Sequence, residues 1–306
     1  MIYGVIDIGS NTIRLSLYQY EGGAQIQRLL NHKTMAGLAS YIEEGHMTLE
    51  GIRVACRTLA DEQQILQNLG VRAYYAFATA PLRNIDNAEE VKNAIYAHTG
   101  IPVDVLSGEE EARLDFVGAT HALTYRDGLL ADIGGGSTEL VPFADGQMCG
   151  TFSMPVGSLS LYSKYVCGLL PTQKERSSIQ KAVAAQLQRI ALPEGAYANL
   201  CGVGGTIRAA GRLCRRMYGI DPDAGIESGA IASLLRDLRA SNPQSIKRIL
   251  QAAPERVHTI VPGLIVLQHI LKTFSVQTIH ISPYGVREGY LTHRILKEGA
   301  FHASQA

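Results

Sequence analysis

The strongest constraint on this chain is a glycine-rich turn that occurs twice between strand-like runs. Asp132–Glu139 has the sequence Asp-Ile-Gly-Gly-Gly-Ser-Thr-Glu, and Asp7–Thr12 has the sequence Asp-Ile-Gly-Ser-Asn-Thr. Each run lies between apolar segments typical of β-strands. One such turn by itself is compatible with an ordinary hairpin, since Gly, Ser and Asn are common turn residues. The repetition favours a duplicated α/β fold in which the two turns form a phosphate clamp between the halves.

The residue types in these turns suit phosphate together with a hard cation. Glycine leaves the backbone bare, and successive N–H groups of such a turn form a nest that binds phosphate. Asp132 and Glu139 would repel phosphate unless a divalent cation such as Mg²⁺ lies between them, because Mg²⁺ takes carboxylate and phosphate oxygens together. A third turn, Gly202–Thr206, opens a helix and is either another anion site or a point of close backbone packing.

Composition places the chain among globular proteins of about two domains. It has 306 residues, of which 46% are hydrophobic and 18% charged, and its formal net charge is zero. This balance argues against a broad nucleic-acid surface. The five cysteines include no Cys-x-x-Cys pair, so neither a zinc ribbon nor a thioredoxin-type site is indicated. Neither a signal peptide nor an apolar run of membrane-spanning length is evident, and we expect a cytoplasmic protein.

Local signals predict the domain division and several helix ends. We expect domains at residues 1–117 and 118–306, with a terminal helix near 286–300 that packs back on the first domain. Thr48 is predicted to cap one helix, and Thr172 with Glu175 forms a capping box at the start of another. A helical region that opens at Pro254 is expected to break at Pro262, because proline removes a helical hydrogen bond.

Three successive glutamates follow a short predicted strand and open a helix. The helix dipole favours acidic residues in a first turn, which accounts for Glu109 and Glu110. Glu111 lies a full turn in and faces another side, where it is either a general base or part of a solvated helix face. Arg83 follows another predicted strand, at the sheet end where α/β proteins bind ligands. It is either a phosphate contact or an ordinary surface arginine.

Six motifs of the chain resemble, in order, those of the Ppx/GppA family of exopolyphosphatases and guanosine pentaphosphate phosphohydrolases. They are Asp7–Leu15, Ala78–Arg83, Ser107–Leu114, Asp132–Leu140, Gly202–Ala209 and Pro283–Leu291. The resemblance covers nearly the whole chain and implies the short, two-domain form of the family. The fold that it implies is actin-like: a duplicated, ribonuclease H-like α/β architecture, shared with sugar kinases and heat-shock proteins, with a cleft between two domains.

The resemblance also implies roles for individual residues. Glu111 matches the catalytic glutamate, and Asp132 and Glu139 match the acidic residues that bind the metal, which is Mg²⁺ or another divalent cation, with K⁺ as a further candidate ion. The phosphate-binding residues that it implies are Ser10, Asn11, Arg83, Gly134, Gly135, Gly136, Ser137, Gly204, Gly205 and Thr206. Further candidates are Asp7, Arg14 and Arg287. In one departure, Gly37 stands where many members have an arginine, so one positive contact along a polyanion is expected to be missing.

The leading prediction is exopolyphosphatase activity, the release of terminal orthophosphate from inorganic polyphosphate by metal-assisted attack of water. The alternative within the family is 5′-phosphohydrolysis of guanosine pentaphosphate. The actin-like architecture also fits an ATP-dependent kinase, and a non-catalytic phosphate or alarmone sensor is a further class. We expect polyphosphate or guanosine pentaphosphate as the partner, no nucleic acid and no membrane, and a homodimer remains an open alternative.

Overall fold

The chain divides into two units, each with its own sheet. The structure, a computed structural model, describes residues 1–21, 26–119, 123–190, 197–240 and 242–297. Unit 1 contains Met1–Gly108 and the chain from Tyr290, and unit 2 contains Glu109–Gly289. None of the helices in the described ranges combines the length and the apolar character of a membrane span.

Unit 1 is built on a five-stranded mixed sheet. The strands of unit 1, two of which lie outside this sheet, are β1 (Ile2–Ile8), β2 (Ile13–Tyr20), β3 (Ile26–Thr34), β4 (Ile42–Glu43), β5 (His46–Met47), β6 (Ala73–Ala78) and β7 (Val103–Val105). Its helices are α1 (Leu49–Asn68), α2 (Ala80–Arg83), α3 (Ala88–Thr99) and the π-helical segment Tyr290–Lys297. The sheet order is β3-β2-β1-β6-β7, and β4 pairs with β5 in a separate ribbon. Apolar residues of the sheet and α1, among them Ile6, Leu15 and Leu59, form its core.

Unit 2 is built on a larger sheet of the same kind. Its strands are β8 (Gly128–Ile133), β9 (Thr138–Ala144), β10 (Gln147–Met148), β11 (Phe152–Met154), β12 (Asn199–Val203), β13 (Ile226–Glu227) and β14 (Thr278–Ile281). Its helices are α4 (Gly108–Ala119), α5 (Ser158–Tyr165), α6 (Gln173–Leu187), α7 (Gly204–Tyr218), α8 (Ser228–Asp237), α9 (Pro243–Ala252), α10 (Ile260–Thr273) and α11 (Val286–Gly289). The sheet order is β10-β9-β8-β12-β14-β13, and β11 also pairs with β9.

The two sheets share one topology. In unit 1, β1 pairs antiparallel with β2 and parallel with β6, which continues parallel to β7. In unit 2, β8 pairs antiparallel with β9 and parallel with β12, which continues parallel to β14. When only the equivalent strands of the two sheets are numbered, both units have the order 3-2-1-4-5, and unit 2 adds β11 beside β9 and β13 at the edge. The predicted duplicated, actin-like α/β fold is confirmed.

The boundary between the units lies at Gly108, earlier than the division at 117/118 expected from the sequence. The physical reason is the packing of α4. Its apolar residues Ala112 and Phe116 belong to the same buried cluster as Leu130 of β8 and Val141 of β9. Because this helix buries its apolar side on the second sheet, nearly all of it belongs to unit 2, and the chain returns to unit 1 at Tyr290.

The helix starts at Thr48 and Thr172 follow the predicted capping signals, but one predicted helix break does not occur. The Thr48 side chain accepts a hydrogen bond from the Gly51 amide at the start of α1. Thr172 and Glu175 form the predicted capping box of α6, in which the Thr172 amide donates to Glu175 at 2.7 Å. The break expected at Pro262 was wrong, because α10 begins only at Ile260. Proline is tolerated in a first helical turn, where its missing N–H has no intrahelical acceptor.

A buried arginine holds the end of α8. Arg176 of α6 is 7% exposed, and its guanidinium donates to the carbonyls of Leu235 (2.6 Å) and Leu238. Arg176→Met would leave these buried carbonyls without a donor, so we expect the free energy of unfolding to fall by about 1–3 kcal/mol. Urea denaturation measures this change. Lys181→Met, which removes an exposed charge from the same helix, is the control, and equal destabilisation by both variants would contradict the assignment.

Candidate active site

The two predicted glycine turns have the same local geometry. In unit 1 the Gly9 amide donates to the Thr12 carbonyl at 3.0 Å, and in unit 2 the Gly134 amide donates to the Ser137 carbonyl at 3.0 Å. Each turn joins two antiparallel strands, β1 to β2 and β8 to β9. The repeat in the sequence is therefore also a structural repeat.

The turn of unit 1 presents a buried amide donor. Ser10 and Asn11 are 5% and 8% exposed, and their carbonyls accept hydrogen bonds from the amides of Ala39 and Gly37 at 3.0 Å. Within the described residues, Asn11 Nδ2 makes no hydrogen bond, so this donor is one that an anion can satisfy. Gly37 has φ of +60°, a conformation that side-chain-bearing residues rarely adopt, so glycine suits this position.

A charged row crosses the sheet of unit 1 next to this turn. Asp7 on β1 lies opposite Arg14 on β2, and Arg14 lies opposite Lys33 on β3. Directly opposite residues of neighbouring strands point to the same face, so the two positive side chains share one face with Asp7. Arg83 ends the short helix α2, and its guanidinium donates to the Leu106 carbonyl at 3.2 Å.

The two predicted metal ligands are cross-strand neighbours in unit 2. Asp132 on β8 lies directly opposite Glu139 on β9, and Glu139 lies opposite Ser153 on β11. Asp132 is 9% exposed and Glu139 is fully buried. The Ser153 hydroxyl donates to Glu139 Oε1 at 2.9 Å, which orients the carboxylate. Two carboxylates are thus placed on one face of the sheet, directly before and after the triglycine turn.

These carboxylates fit a hard divalent cation shared with a phosphate. Two buried like charges on adjacent strands are unfavourable unless a cation or a proton compensates them. In the described ranges, no group of three or more His, Cys, Asp or Glu side chains is arranged to hold a metal ion. Mg²⁺ is usually bound by one or two carboxylates together with water and substrate phosphates. The donor set of Asp132 and Glu139 matches that mode.

The first residues of α5 anchor the triglycine turn by donating hydrogen bonds to the carbonyl groups of the turn. The Ser158 amide and hydroxyl donate to the Gly134 carbonyl at 2.9 and 3.0 Å, and the Leu159 amide donates to the Gly135 carbonyl at 2.9 Å. A Cβ at Gly157 would overlap Gly135, so glycine is needed there for the helix to approach. The start of α5 thus fixes the position of the triglycine turn.

The third glycine turn brings a carboxylate and an arginine to the start of α7. Gly204 has φ of +81°, and a Cβ there would overlap Asp132 Oδ1. A Cβ at Gly205 would overlap the guanidinium of Arg256, which is buried and donates to Thr206 Oγ1 at 3.3 Å. The missing side chains at both glycines are therefore what lets these charged groups reach the helix N-terminus, an end that favours anions.

Gly204→Ala tests the close approach of Asp132. The variant has to adopt a left-handed backbone conformation and also displace a buried carboxylate. Gly219→Ala is the matched control, because Gly219 has φ of +70° and no atom lies within 4 Å of the position that its Cβ would take. The control is expected to cost about 1–2 kcal/mol for the backbone conformation, and Gly204→Ala more than that. Thermal unfolding of both variants measures the difference, and equal costs would refute the contact.

Positive charge accumulates around the same helix start. Removal from water and the nearby Arg287 lower the pKa of Arg208 to about 10, and Asp132 partly opposes the shift. Arg256 also lowers that pKa and Glu288 opposes the shift, so Arg287 and Arg256 both lie within electrostatic reach of Arg208. Arg287 is 5% exposed. Concentrated positive charge of this kind favours a bound anion.

Glu111 lies among buried carboxyl groups. It is 7% exposed, whereas Glu109 on the same helix is exposed, as the helical spacing predicts. Asp115, one turn further along α4, is fully buried. Burial raises the pKa of the Asp115 carboxyl well above its ordinary value, and the charges of Asp132, Glu111 and Glu139 raise it further. The predicted base and the predicted metal ligands therefore share one electrostatic environment.

Unit 2 brings together most of the predicted residues, and it adds three that the sequence analysis missed. Those brought together are Glu111, Asp132, Glu139, Gly134–Ser137, Gly204–Thr206 and Arg287. The residues missed are Asp115, Ser153 and Arg256. The spacing of Asp115 four residues after Glu111 was a usable signal, because such pairs share a helix face. Ser153 and Arg256 are separated in sequence from their contacts and had no local signal.

The fold and the site together define a class. The fold is duplicated and actin-like, and its glycine turns, its carboxylate pair and its arginine-lined helix start all suit phosphate. This combination is that of a phosphoryl-handling enzyme. The chain belongs to the Ppx/GppA phosphatase family, whose sequence model matches residues 18–298. With its exopolyphosphatase relatives, this membership indicates a phosphoanhydride hydrolase.

Relatives and solved structures match this chain over almost its whole length. An uncharacterized protein of Streptomyces coelicolor is 29% identical, over 95% of this chain and 89% of its own length. Exopolyphosphatase 1 of Mycobacterium tuberculosis is 24% identical, over 97% and 89%. The crystal structure of the Aquifex aeolicus family member is 25% identical over 98% and 99%, with a TM-score of 0.78. An exopolyphosphatase structure from Cytophaga hutchinsonii, 24% identical over the full length of both chains with a TM-score of 0.84, shares the fold.

Proposed function

We propose that the chain is an exopolyphosphatase that releases terminal orthophosphate from inorganic polyphosphate. The observation that carries the proposal is the in-register pair Asp132 and Glu139, which flanks the triglycine turn and approaches the Gly204 helix start through Asp132. A relative named exopolyphosphatase aligns over 97% of the chain, which supports the same substrate class. Polyphosphate is a chain of phosphoanhydrides, so one phosphate-binding frame can hold several of its units.

Substrate phosphates are bound by amide nests and by arginine. The amides of Gly135 and Gly136 and of the α7 start face the terminal phosphates, and Arg256 and Arg287 neutralise their charge. Unit 1, considered by itself, presents the Asn11 amide and the Arg14 and Arg83 guanidinium groups as further phosphate-binding groups. Phosphoryl transfer depends on positioning and charge neutralisation more than on covalent chemistry, which is what these groups provide.

The metal ion and the general base have separate roles in the reaction. Asp132 and Glu139 would hold the divalent cation, which when bound would supply Lewis-acid stabilisation of charge on the transferred phosphoryl group. Glu111 accepts a proton from the attacking water. The new P–O bond forms as the bond from the terminal phosphorus to the bridging oxygen breaks, and the shortened chain leaves with that oxygen. Ser153 keeps Glu139 oriented through its hydroxyl.

A side-by-side assay tests the proposal. Orthophosphate release is measured from polyphosphates of several lengths and from guanosine pentaphosphate, each with and without Mg²⁺. Faster release from polyphosphate supports the proposal. Release confined to the 5′ end of guanosine pentaphosphate would replace it with the alternative activity within the family, using the same residues.

Short polyphosphates are expected to be better substrates than long ones. The affinity for a long polyanion depends on the number of positive contacts, each of which contributes roughly 0.2–1 kcal/mol when exposed. This chain has zero net charge and a glycine at position 37. We therefore expect distributive release, seen as gradual shortening of the whole population during partial digestion. Complete loss of some chains while others stay at full length would contradict it.

A further inference from the structure

A polar cavity lies at the other end of α7 from the Gly204 turn. Its volume is about 680 Å³, and it is lined by Arg216, Met217, Tyr218, Asp237, Arg248 and Gln251. Since a helix rises about 1.5 Å per residue, Arg216 is roughly 18 Å along the axis from Gly204. The volume lies in the range of small-molecule sites. The proposed catalytic groups of unit 2 do not line this cavity.

Arg216 differs from its neighbours on α7 in how its charge is compensated. Arg212 and Arg215 each form an ion pair with a carboxylate, at 2.8 and 2.6 Å. Arg216 instead donates through Nε to the neutral Gln251 side chain at 3.2 Å. Throughout the described ranges, Arg216 makes no ion pair.

A second uncompensated arginine faces the same cavity. Arg248 of α9 is partly buried, and no hydrogen bond or ion pair of its side chain occurs in the described part of the chain. The single carboxylate of the lining, Asp237, accepts a hydrogen bond from the Tyr218 hydroxyl at 2.7 Å. Burial and this contact raise the pKa of Tyr218. Two arginines against one engaged carboxylate leave the cavity positively charged.

The helix dipole does not account for this arrangement. Arginine in the last turn of a helix is favoured by the dipole, which suffices for the position of Arg216 on α7. Arg248 does not lie in the last turn of α9. The dipole of α9 therefore does not stabilise Arg248, whereas an anion bound in the cavity would.

We propose that this cavity binds a phosphoryl group between Arg216 and Arg248. Guanidinium groups match the oxygens of phosphate in charge and geometry. The phosphoryl group is either that of free orthophosphate or that of a mononucleotide. A mononucleotide would place its base against the Tyr218 ring and the Met217 side chain. The site is separate from the proposed catalytic groups, and the proposal does not depend on them.

Equilibrium dialysis with labelled orthophosphate and with labelled AMP, in separate arms, tests this site. The proteins compared are the wild type, Arg216→Gln, Arg248→Gln and Lys247→Gln. Lys247→Gln is the matched control, because it removes one positive charge beside Arg248 without touching the cavity. Loss of one charge-assisted contact is expected to weaken binding at the cavity about tenfold or more in both arginine variants, and the control is expected to match the wild type.

The two arms identify the ligand, and the variants decide the proposal. A difference confined to the orthophosphate arm assigns free phosphate, and tighter binding in the AMP arm assigns a mononucleotide. Binding that is equal in all four proteins in both arms overturns the proposal, as does an equal loss in Lys247→Gln. If the proposed catalytic site did not bind phosphate, the number of phosphates bound per protein molecule would fall equally in all four proteins. This result is distinguishable from a loss of binding at the cavity, which would appear only in the arginine variants.

Discussion

Glu111→Gln is expected to lower turnover by roughly 10²–10⁴-fold, the usual loss when a general base is removed. Glutamine keeps the size of the side chain and its hydrogen bonding but does not accept the proton of the attacking water. Substrate binding is expected to persist, because the proposed phosphate contacts are other groups. Steady-state rates of orthophosphate release, together with a binding measurement on the inactive variant, check both parts.

The matched control for this variant is Glu109→Gln. Glu109 lies on the same helix two positions earlier and is exposed, so its loss changes the net charge equally without altering the buried carboxyl groups. Its turnover is expected to equal that of the wild type. Unchanged turnover in Glu111→Gln would remove this residue from the mechanism, whatever the control shows.

Asp132→Asn is expected to raise the Mg²⁺ concentration needed for half-maximal activity by roughly 10–100-fold or more. Changes to groups that only support metal ligands already cost that much in affinity, and this variant removes a proposed ligand itself. The near-isosteric change keeps the contact with Gly204, so the helix start is expected to remain in place. Titration of activity with Mg²⁺ after exhaustive chelation measures the shift.

Asp145→Asn serves as the control for Asp132→Asn. Asp145 is exposed, at the other end of strand β9, and has φ of +51°, a conformation that asparagine also tolerates. Its Mg²⁺ dependence is expected to match that of the wild type. Full activity of the wild type after exhaustive chelation would show that the carboxylates of Asp132 and Glu139 have another role.

The duplicated hairpins differ in charge at equivalent positions. In unit 1 the residue opposite Asp7 is Arg14, whereas in unit 2 the residue opposite Asp132 is Glu139. Because opposite residues share a face, the first pair is internally compensated and the second is not. A cation is therefore suited to the hairpin of unit 2, and the hairpin of unit 1 is suited to direct contact with phosphate through Arg14.

Local chemistry was sufficient to predict much of this protein from its sequence. The repeated Asp-Ile-Gly turns are closed by hydrogen bonds three residues apart, at Gly9 and Gly134, so their geometry is encoded within each turn. The caps at Thr48 and Thr172 are equally local. The side of α4 on which Glu111 lies follows from helical periodicity, because the backbone repeats every 3.6 residues.

Tertiary structure decided what depends on contacts between distant parts of the chain. Arg256 meets Thr206, and Arg176 meets the end of α8, across separations for which the sequence has no periodic signal. The first boundary between the units was set by the side on which α4 buries its apolar residues, and the start of α10 at Ile260 placed Pro262 in a first turn. Asp115 and Glu111 share a face of α4 by their spacing, but only the packing of α4 on the sheet of unit 2 brings both carboxyl groups into the environment of Asp132, since long-range packing determines which charges share a low-dielectric environment.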